Sequence, residues 1–154
     1  MAHIEQRISE LGLELAEPTR PVANYLPAVR VGQLIYVSGH GPKPDPNGEF
    51  VGKVGSDIDV DTAYRAAGVT ILSCLSTLRA EVGDLDKVEQ VVKLLGMVNS
   101  AAGFNKQPQV INGASDRLVE IFGDRGRHAR SAVGMAELPG DIAVEIELIV
   151  KVTD

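Results

Sequence analysis

The strongest constraint on the fold is a run of alternating residues near the C-terminal end of the chain. Over residues 142–152 every second residue is apolar, and those between are Ala, Glu, Ile and Lys. A period of two is typical of a β-strand with one buried face. The segment 129–136 is separated from this strand by Leu-Pro-Gly-Asp at 138–141, and Pro and Gly suit the dihedral angles of turns. The two segments are therefore predicted to form a closing β-hairpin.

This hairpin predicts a sheet face that carries three charged side chains. With a four-residue loop, Arg130, Glu145 and Glu147 share one face, beside the small residues Ala132 and Gly134. A guanidinium group matches a carboxylate, and Glu145 can hold a water or act as a base, so this face is a candidate ligand site. The alternative is a solvated sheet face with a cross-strand ion pair, and the pattern alone leaves both interpretations open.

The rest of the chain alternates helical and extended patterns. The predicted elements, in order, are an amphipathic helix over 3–15, a β-hairpin over 22–39, an edge strand over 49–54, a helix over 61–82, a strand over 86–99, a helix over 108–122 and the closing hairpin. Two helices on one face of a mixed β-sheet give an α+β fold. Residues 1–19 are predicted to be an N-terminal helical extension of a single domain over 20–154. The uncovered sheet face favours oligomerisation.

Composition argues against several classes of function. The net charge is −6, and the chain has no Trp, three Tyr and three Phe, whereas nucleic-acid binding needs basic and stacking surfaces. No apolar run approaches the ~20 residues of a membrane span, and the N-terminus lacks a signal-peptide core. The single Cys74 excludes an internal disulfide and is predicted to be a core residue. We expect a cytoplasmic protein that binds neither nucleic acid nor membrane.

The common catalytic motifs are absent from the sequence. There is no glycine-rich phosphate loop, and His3, His40 and His128 lack the spacing of metal ligands. A metal site built from His40 and acidic residues is a minor hypothesis. Ser38 and Ser131 lack the sequence context of a serine nucleophile.

Several stretches of the chain resemble a known family. Ala-Arg-Ser-Ala-Val at 129–133 precedes Leu-Pro-Gly-Asp at 138–141 and Val-Glu-Ile-Glu at 144–147, and Val-Gly-Gln-Leu-Ile-Tyr-Val-Ser-Gly at 31–39 looks like the family's first hairpin. Over residues 20–152 the chain resembles the reactive intermediate deaminases, also called the YjgF-like or L-PSP endoribonuclease-like family.

The resemblance implies a chorismate-mutase-like fold and a homotrimer with a ligand pocket at each subunit interface. It implies hydrolysis of small enamine or imine carboxylates, such as 2-aminoacrylate, to a 2-keto acid and ammonia, with no cofactor and no metal. Arg130 matches the carboxylate-binding arginine, Glu145 the water-positioning glutamate and Tyr25 the pocket tyrosine. The matching substrate-binding positions are Ser38, Gly39, Asn112 and Ala132.

Two departures from the family pattern bear on the substrate. Ala132 replaces the usual cysteine, and the segment 23–27, Ala-Asn-Tyr-Leu-Pro, replaces Gly-Pro-Tyr-Ser-Gln, so that Leu26 and Pro27 make the pocket mouth more apolar. These changes indicate a divergent subgroup. The alternatives are a non-catalytic trimer that binds small carboxylates or interacts with other proteins, and an endoribonuclease, which the acidic charge balance disfavours.

Overall fold

A mixed five-stranded sheet forms the centre of the structure, a computed structural model that describes residues 3–18, 20 and 22–154. The strand order is β1-β2-β5-β3-β4; β3 and β4 are parallel, and the other neighbouring pairs are antiparallel. The helices and strands, in chain order, are α1 (His3–Glu10), β1 (Ala28–Val31), β2 (Leu34–His40), α2 (Val60–Val82), β3 (Val88–Asn99), α3 (Gln107–Phe122), β4 (Ala129–Met135) and β5 (Val144–Val152).

The two long helices α2 and α3 cover one face of the sheet, which confirms the predicted α+β fold. The Asp59 side chain caps α2 by accepting a hydrogen bond from the Thr62 N–H at 2.7 Å, and Gly83 ends the helix with φ 80°. Pro108 lies in the first turn of α3. Every second residue of β5 is buried beneath these helices, as the alternation predicted: Val144, Ile146, Leu148, Val150 and Val152. None of the helices in the described ranges has the length and apolar character that crossing a membrane requires.

The N-terminal helix α1 is shorter than predicted and packs against the helical layer. Gly12, with φ 69°, follows its end. Ile4 and Ile8 are buried, and the Asp86 carboxylate accepts hydrogen bonds from the N–H groups of His3 (2.7 Å) and Ile4 (2.8 Å). The division into an extension over 1–19 and a domain over 20–154 stays a prediction.

The predicted closing hairpin is wrong, because β3 lies between β4 and β5. Helix α3 connects β3 to β4, and such a crossover brings the second strand in parallel to the first. The Leu-Pro-Gly-Asp segment therefore connects β4 to β5 across the end of β3, not two neighbouring strands. It contains a short 3-10 turn over Pro139–Asp141. Turn chemistry is local and does not reveal that another strand is inserted between its two ends.

The predicted edge strand over 49–54 is also wrong. This segment makes isolated bridges, Val51 with Ile142 and Val54 with Ser100, but no continuous strand. Gly52 and Gly55 have φ values of 124° and 101°, which interrupt an extended backbone.

The close crossing of α2 and α3 generates a matched pair of predictions. A Cβ at Gly113 would overlap the Tyr64 carbonyl, whereas the nearest atom to a Cβ at Gly68 is 3.4 Å away. Gly113→Ala should lower the free energy of unfolding by about 1–3 kcal/mol, as overpacking does. Gly68→Ala should leave it unchanged or raise it by up to ~1 kcal/mol through helix propensity. Denaturant unfolding measures both, and equal effects at the two positions would contradict this packing.

Candidate functional site

The guanidinium group of Arg130 lies at the edge of the sheet, against helix α3. Arg130 is aligned with Leu94, and Leu94 with Leu148, so all three side chains point to the helical layer. Arg130 Nη1 donates to Asn112 Oδ1 at 2.8 Å and to Ser115 Oγ at 3.2 Å. Among the described residues, Arg130 Nε and Nη2 have no hydrogen-bond partner, and the group forms no ion pair. Its Nε–Nη2 edge is therefore available to a carboxylate.

A histidine is linked to this arginine through Ser115. Ser115 Oγ lies 3.0 Å from His128 Nε2, and His128 Nδ1 lies 2.7 Å from the Gly126 carbonyl oxygen. A carbonyl only accepts, so Nδ1 carries the hydrogen and the Nε2 of a neutral ring accepts from the Ser115 hydroxyl. Burial lowers the pKa of His128, and the positive charge of Arg130 lowers it further. The hydrogen bond to the Gly126 carbonyl acts in the opposite direction and raises it, but by less than burial lowers it. The neutral ring is thus the favoured form at neutral pH.

These groups border an open cavity of about 380 Å³ between α3 and the start of β4. Asp116 also lines it, but its carboxylate accepts a hydrogen bond from the Tyr64 hydroxyl at 2.6 Å and so has a partner on α2. The cavity is therefore lined by the cationic side chains of Arg127 and Arg130 and by one acid, Asp116, which is hydrogen-bonded to Tyr64. Its lining residues are Asn112, Ser115, Asp116, Val119, Arg127, His128 and Arg130.

The Glu145 carboxylate lies on the opposite, uncovered face of the sheet. It packs against Gly39, at a register shift in β2, and a Cβ at Gly39 would lie 2.8 Å from Glu145 Oε2. A side chain at position 39 would therefore displace the Glu145 carboxylate from this position. Burial raises the pKa of Glu145, and the charge of Glu147 raises it further.

Ser38 ties the loop that carries Tyr25 to this uncovered face. Its hydroxyl donates to the Leu26 carbonyl at 2.7 Å, and its N–H donates to the Pro27 carbonyl at 2.9 Å. The side chain of Tyr25 is about half exposed beside these contacts. A cavity of about 250 Å³ on this face is lined by Ser38 and Glu147, with Val29, Tyr36, Val37, Lys93, Leu95, Leu148 and Ile149.

The structure does not bring Arg130 and Glu145 together, so the predicted shared face is wrong. In the actual register Arg130 lies in line with Leu148 on the helical side, while Glu145 points to the other side. Two strand spacings, about 10 Å, separate β4 from β5. Ala132 is aligned with Gly96 and shares the side of Arg130, not of Glu145. The candidate residues of one chain therefore lie in two separate places, Arg130 and Asn112 on the helical side of the sheet and Glu145 on the opposite side.

The remaining candidate groups are engaged in the core. His40 Nε2 lies 2.8 Å from Thr77 Oγ1 and its Nδ1 lies 2.6 Å from the Ser38 carbonyl oxygen, so both ring nitrogens have protein partners. The described residues contain no group of three potential metal ligands. Cys74 is buried, as predicted, and burial raises the pKa of its thiol. A larger cavity, about 680 Å³ between segments 55–60 and 101–106, contains none of the predicted site residues.

This chain is similar to known proteins in both sequence and fold. The family model described as YjgF/chorismate mutase-like, putative endoribonuclease, matches residues 5–148. The chain belongs to the YjgF-like family. Protein TCP17 of Trypanosoma cruzi is 40% identical over 152 residues, which cover 98% of this chain and 95% of that protein.

Two crystal structures are similar over nearly the whole chain. An Agrobacterium tumefaciens protein of unknown function has a TM-score of 0.90 at 44% identity, and the match covers 97% of this chain and 92% of that one. A putative endoribonuclease from Shewanella oneidensis has a TM-score of 0.92 at 30% identity, over 97% and 99% of the two chains. The family resemblance in the sequence and the chorismate-mutase-like fold are therefore confirmed.

In this YjgF-like chain, sequence reasoning missed Ser115 and His128. The spacing of each residue from a candidate site residue could have indicated it. His128 precedes Arg130 by two residues, which is the same-side repeat of an extended chain, and Ser115 follows Asn112 by three residues on one face of α3. The signal has meaning only once α3 is known to pack beside β4, because neither spacing predicts contact between the two segments.

The raised pKa of Glu145 predicts a pH-dependent effect of its removal. The folded state binds this proton more tightly than the unfolded state, so the contribution of Glu145 to the free energy of unfolding falls as pH rises through the raised pKa. Glu145→Gln should therefore raise the melting temperature at pH 7.5 (~3 pH units above an ordinary glutamate pKa) and have little effect near pH 4. Glu147→Gln, at an exposed position, should raise it less. A larger stabilisation at acid pH than at neutral pH would contradict the burial of Glu145.

Proposed function

We propose that this protein hydrolyses small enamine or imine carboxylates, such as 2-aminoacrylate, to a 2-keto acid and ammonia. The observation that carries the proposal is the Arg130 guanidinium group. It is half-buried, it is held by Asn112 and Ser115, and its outer edge has no partner among the described residues. A group in this state is suited to binding a carboxylate in two parallel hydrogen bonds. Membership of the YjgF-like family is consistent with this activity.

We further propose that the working unit is a homotrimer whose pockets combine Arg130 of one subunit with Glu145 of a neighbour. Two observations support a shared pocket. The two residues lie on opposite faces of one sheet, and the uncovered face presents partly exposed apolar side chains at Val29, Tyr36 and Val133. Burial of such a patch against a second copy is favourable. The number three comes from the family resemblance.

The proposed reaction needs positioning and one proton carrier. Arg130 binds the carboxylate of the iminium form, which an enamine reaches by taking a proton from solvent at its β-carbon and whose central carbon is already electrophilic. Glu145 takes a proton from a water as the water oxygen bonds to that carbon, which gives a carbinolamine. Glu145 then returns this proton to the amine nitrogen. As the C–N bond breaks and ammonia leaves, the carbinolamine hydroxyl gives its proton to Glu145 and becomes the keto group, and Glu145 passes that proton to the departing ammonia. A raised pKa suits Glu145 to these transfers.

An assay with enzymatically generated 2-aminoacrylate tests the proposal. We expect the wild-type protein to release pyruvate and ammonia faster than buffer does. Arg130→Ala should lower kcat/KM by roughly 10- to 100-fold, the size of a lost hydrogen bond to a charged group. Glu145→Gln should lower kcat more than it raises KM, because the proton transfers occur in the chemical step.

Glu147→Gln is the matched control, since it removes an acid from the same strand and face that takes no part in the proposed proton transfers and contributes only the smaller of the two causes that raise the pKa of Glu145. It should keep near wild-type activity. If no variant and no wild-type sample exceeds the buffer rate, while 2-keto acids still raise the melting temperature of the wild type but not of Arg130→Ala, the protein is a non-catalytic carboxylate binder. If neither turnover nor stabilisation depends on Arg130, the proposed site is lost.

Mixing the two variants of low activity tests the shared pocket. Arg130→Ala and Glu145→Gln, mixed in equal amounts and allowed to exchange subunits, should form pockets in which an intact Arg130 meets an intact Glu145. Random assembly predicts about one quarter of wild-type activity from such pockets. A mixture no more active than its components, with subunit exchange demonstrated by a labelled copy, would contradict a pocket built from two chains.

A further inference from the structure

Ser115 and His128 form a chain of contacts to Arg130 Nη1. The Nε–Nη2 edge of the guanidinium group, which has no partner among the described residues, is on the other side. The Gly126 carbonyl fixes the hydrogen on His128 Nδ1, and His128 Nε2 then accepts the Ser115 hydroxyl hydrogen. This leaves the lone pairs of Ser115 Oγ for the hydrogen bond from Arg130 Nη1 at 3.2 Å. Hydrogen donation therefore runs in one direction, from Arg130 Nη1 to Ser115, from Ser115 to His128 and from His128 to the Gly126 carbonyl.

We propose that Ser115 and His128 are positioning residues, which orient the Arg130 guanidinium so that its Nε–Nη2 edge faces the ligand carboxylate. This inference rests on the proposed function of Arg130. It assigns to His128 a role in carboxylate affinity through two hydrogen bonds, without contact to the reacting atoms.

The other partner of Arg130 does not suffice for this orientation. Asn112 is exposed, so water competes for its hydrogen bond to Nη1, whereas Ser115 and His128 are partly buried. With both hydrogens of Nη1 engaged on α3, the guanidinium plane is fixed and Nε and Nη2 point away from the helix. Without the Ser115 contact, only the solvent-exposed hydrogen bond to Asn112 restrains rotation of the Arg130 side chain. Ligand binding must then also order the guanidinium group, and this entropic cost lowers the affinity.

Conservative and disruptive substitutions separate positioning from a general structural role. Ser115→Thr keeps the hydroxyl and Ser115→Ala removes it. His128→Gln keeps an acceptor near Nε2 and His128→Leu removes it. We expect Ser115→Ala and His128→Leu to raise the Kd for pyruvate about three- to tenfold, as loss of a net hydrogen bond does, while Ser115→Thr and His128→Gln stay within about twofold of wild type. Isothermal titration calorimetry measures all four.

A double-mutant cycle tests whether Ser115 acts through Arg130. In the Arg130→Ala background, Ser115→Ala should have no further effect on the Kd for pyruvate. An equal loss in both backgrounds would overturn the inference, because Ser115 would then act on the ligand or on the fold directly. Equal losses for Ser115→Thr and Ser115→Ala would overturn it as well.

A ligand-free measurement keeps this inference separable from the proposed function. Nitrogen-15 relaxation of the Arg130 guanidinium should show a restrained group in the wild type and in Ser115→Thr, and a mobile one in Ser115→Ala and His128→Leu. The ring nitrogen shifts of His128 should report the Nδ1–H tautomer. If Arg130→Ala leaves pyruvate binding unchanged, the proposed function fails, and the relaxation data still decide the positioning role. A guanidinium group equally mobile in all variants overturns it.

Discussion

The parallel pairing of β4 with β3 is the constraint on which the rest of the structure depends. It requires the crossover through α3, and that crossover brings α3 alongside the edge strand on which Arg130 lies. The same pairing places Arg130 in line with the buried Leu94, so the guanidinium group points beneath the helical layer and meets Asn112 and Ser115 there. Had β4 paired with β5, Arg130 would have faced the uncovered side and these contacts would not exist.

The local features of the fold could be predicted from the sequence, because they depend on neighbours in the chain. The alternation in β5 is of this kind, and the structure confirms it. The partner of β4 could not be predicted, because strand pairing is non-local and the turn at 138–141 has the composition of a hairpin loop. The error had a large effect: the predicted hairpin placed Arg130 on the same face as Glu145, whereas the actual pairing places it in line with Leu94 and Leu148 on the opposite face, because neighbouring residues of a strand point to opposite faces.

The family resemblance identified candidate residues but not their arrangement within one chain. It pointed to Arg130, Asn112 and Glu145, which lie inside the matched segment, yet it could not show that the first two lie on one side of the sheet and the third on the other. It was also silent on Ser115 and His128, because a resemblance carries over only positions that match a known pattern. Contacts between helix and strand side chains supplied that part.

The separation of Arg130 and Glu145 has an electrostatic consequence for the proposed assembly. A guanidinium group that forms no ion pair with the described residues and a carboxylate with a raised pKa are each costly to bury alone, and each is only partly buried in the single chain. If they meet across a subunit boundary, the Arg130 charge would lower the pKa of Glu145 while burial of the interface would raise it. A carboxylate ligand on Arg130 would cancel the first effect and leave the second. Ligand binding would then raise the pKa of Glu145 again, which makes its carboxylate a stronger base towards the attacking water.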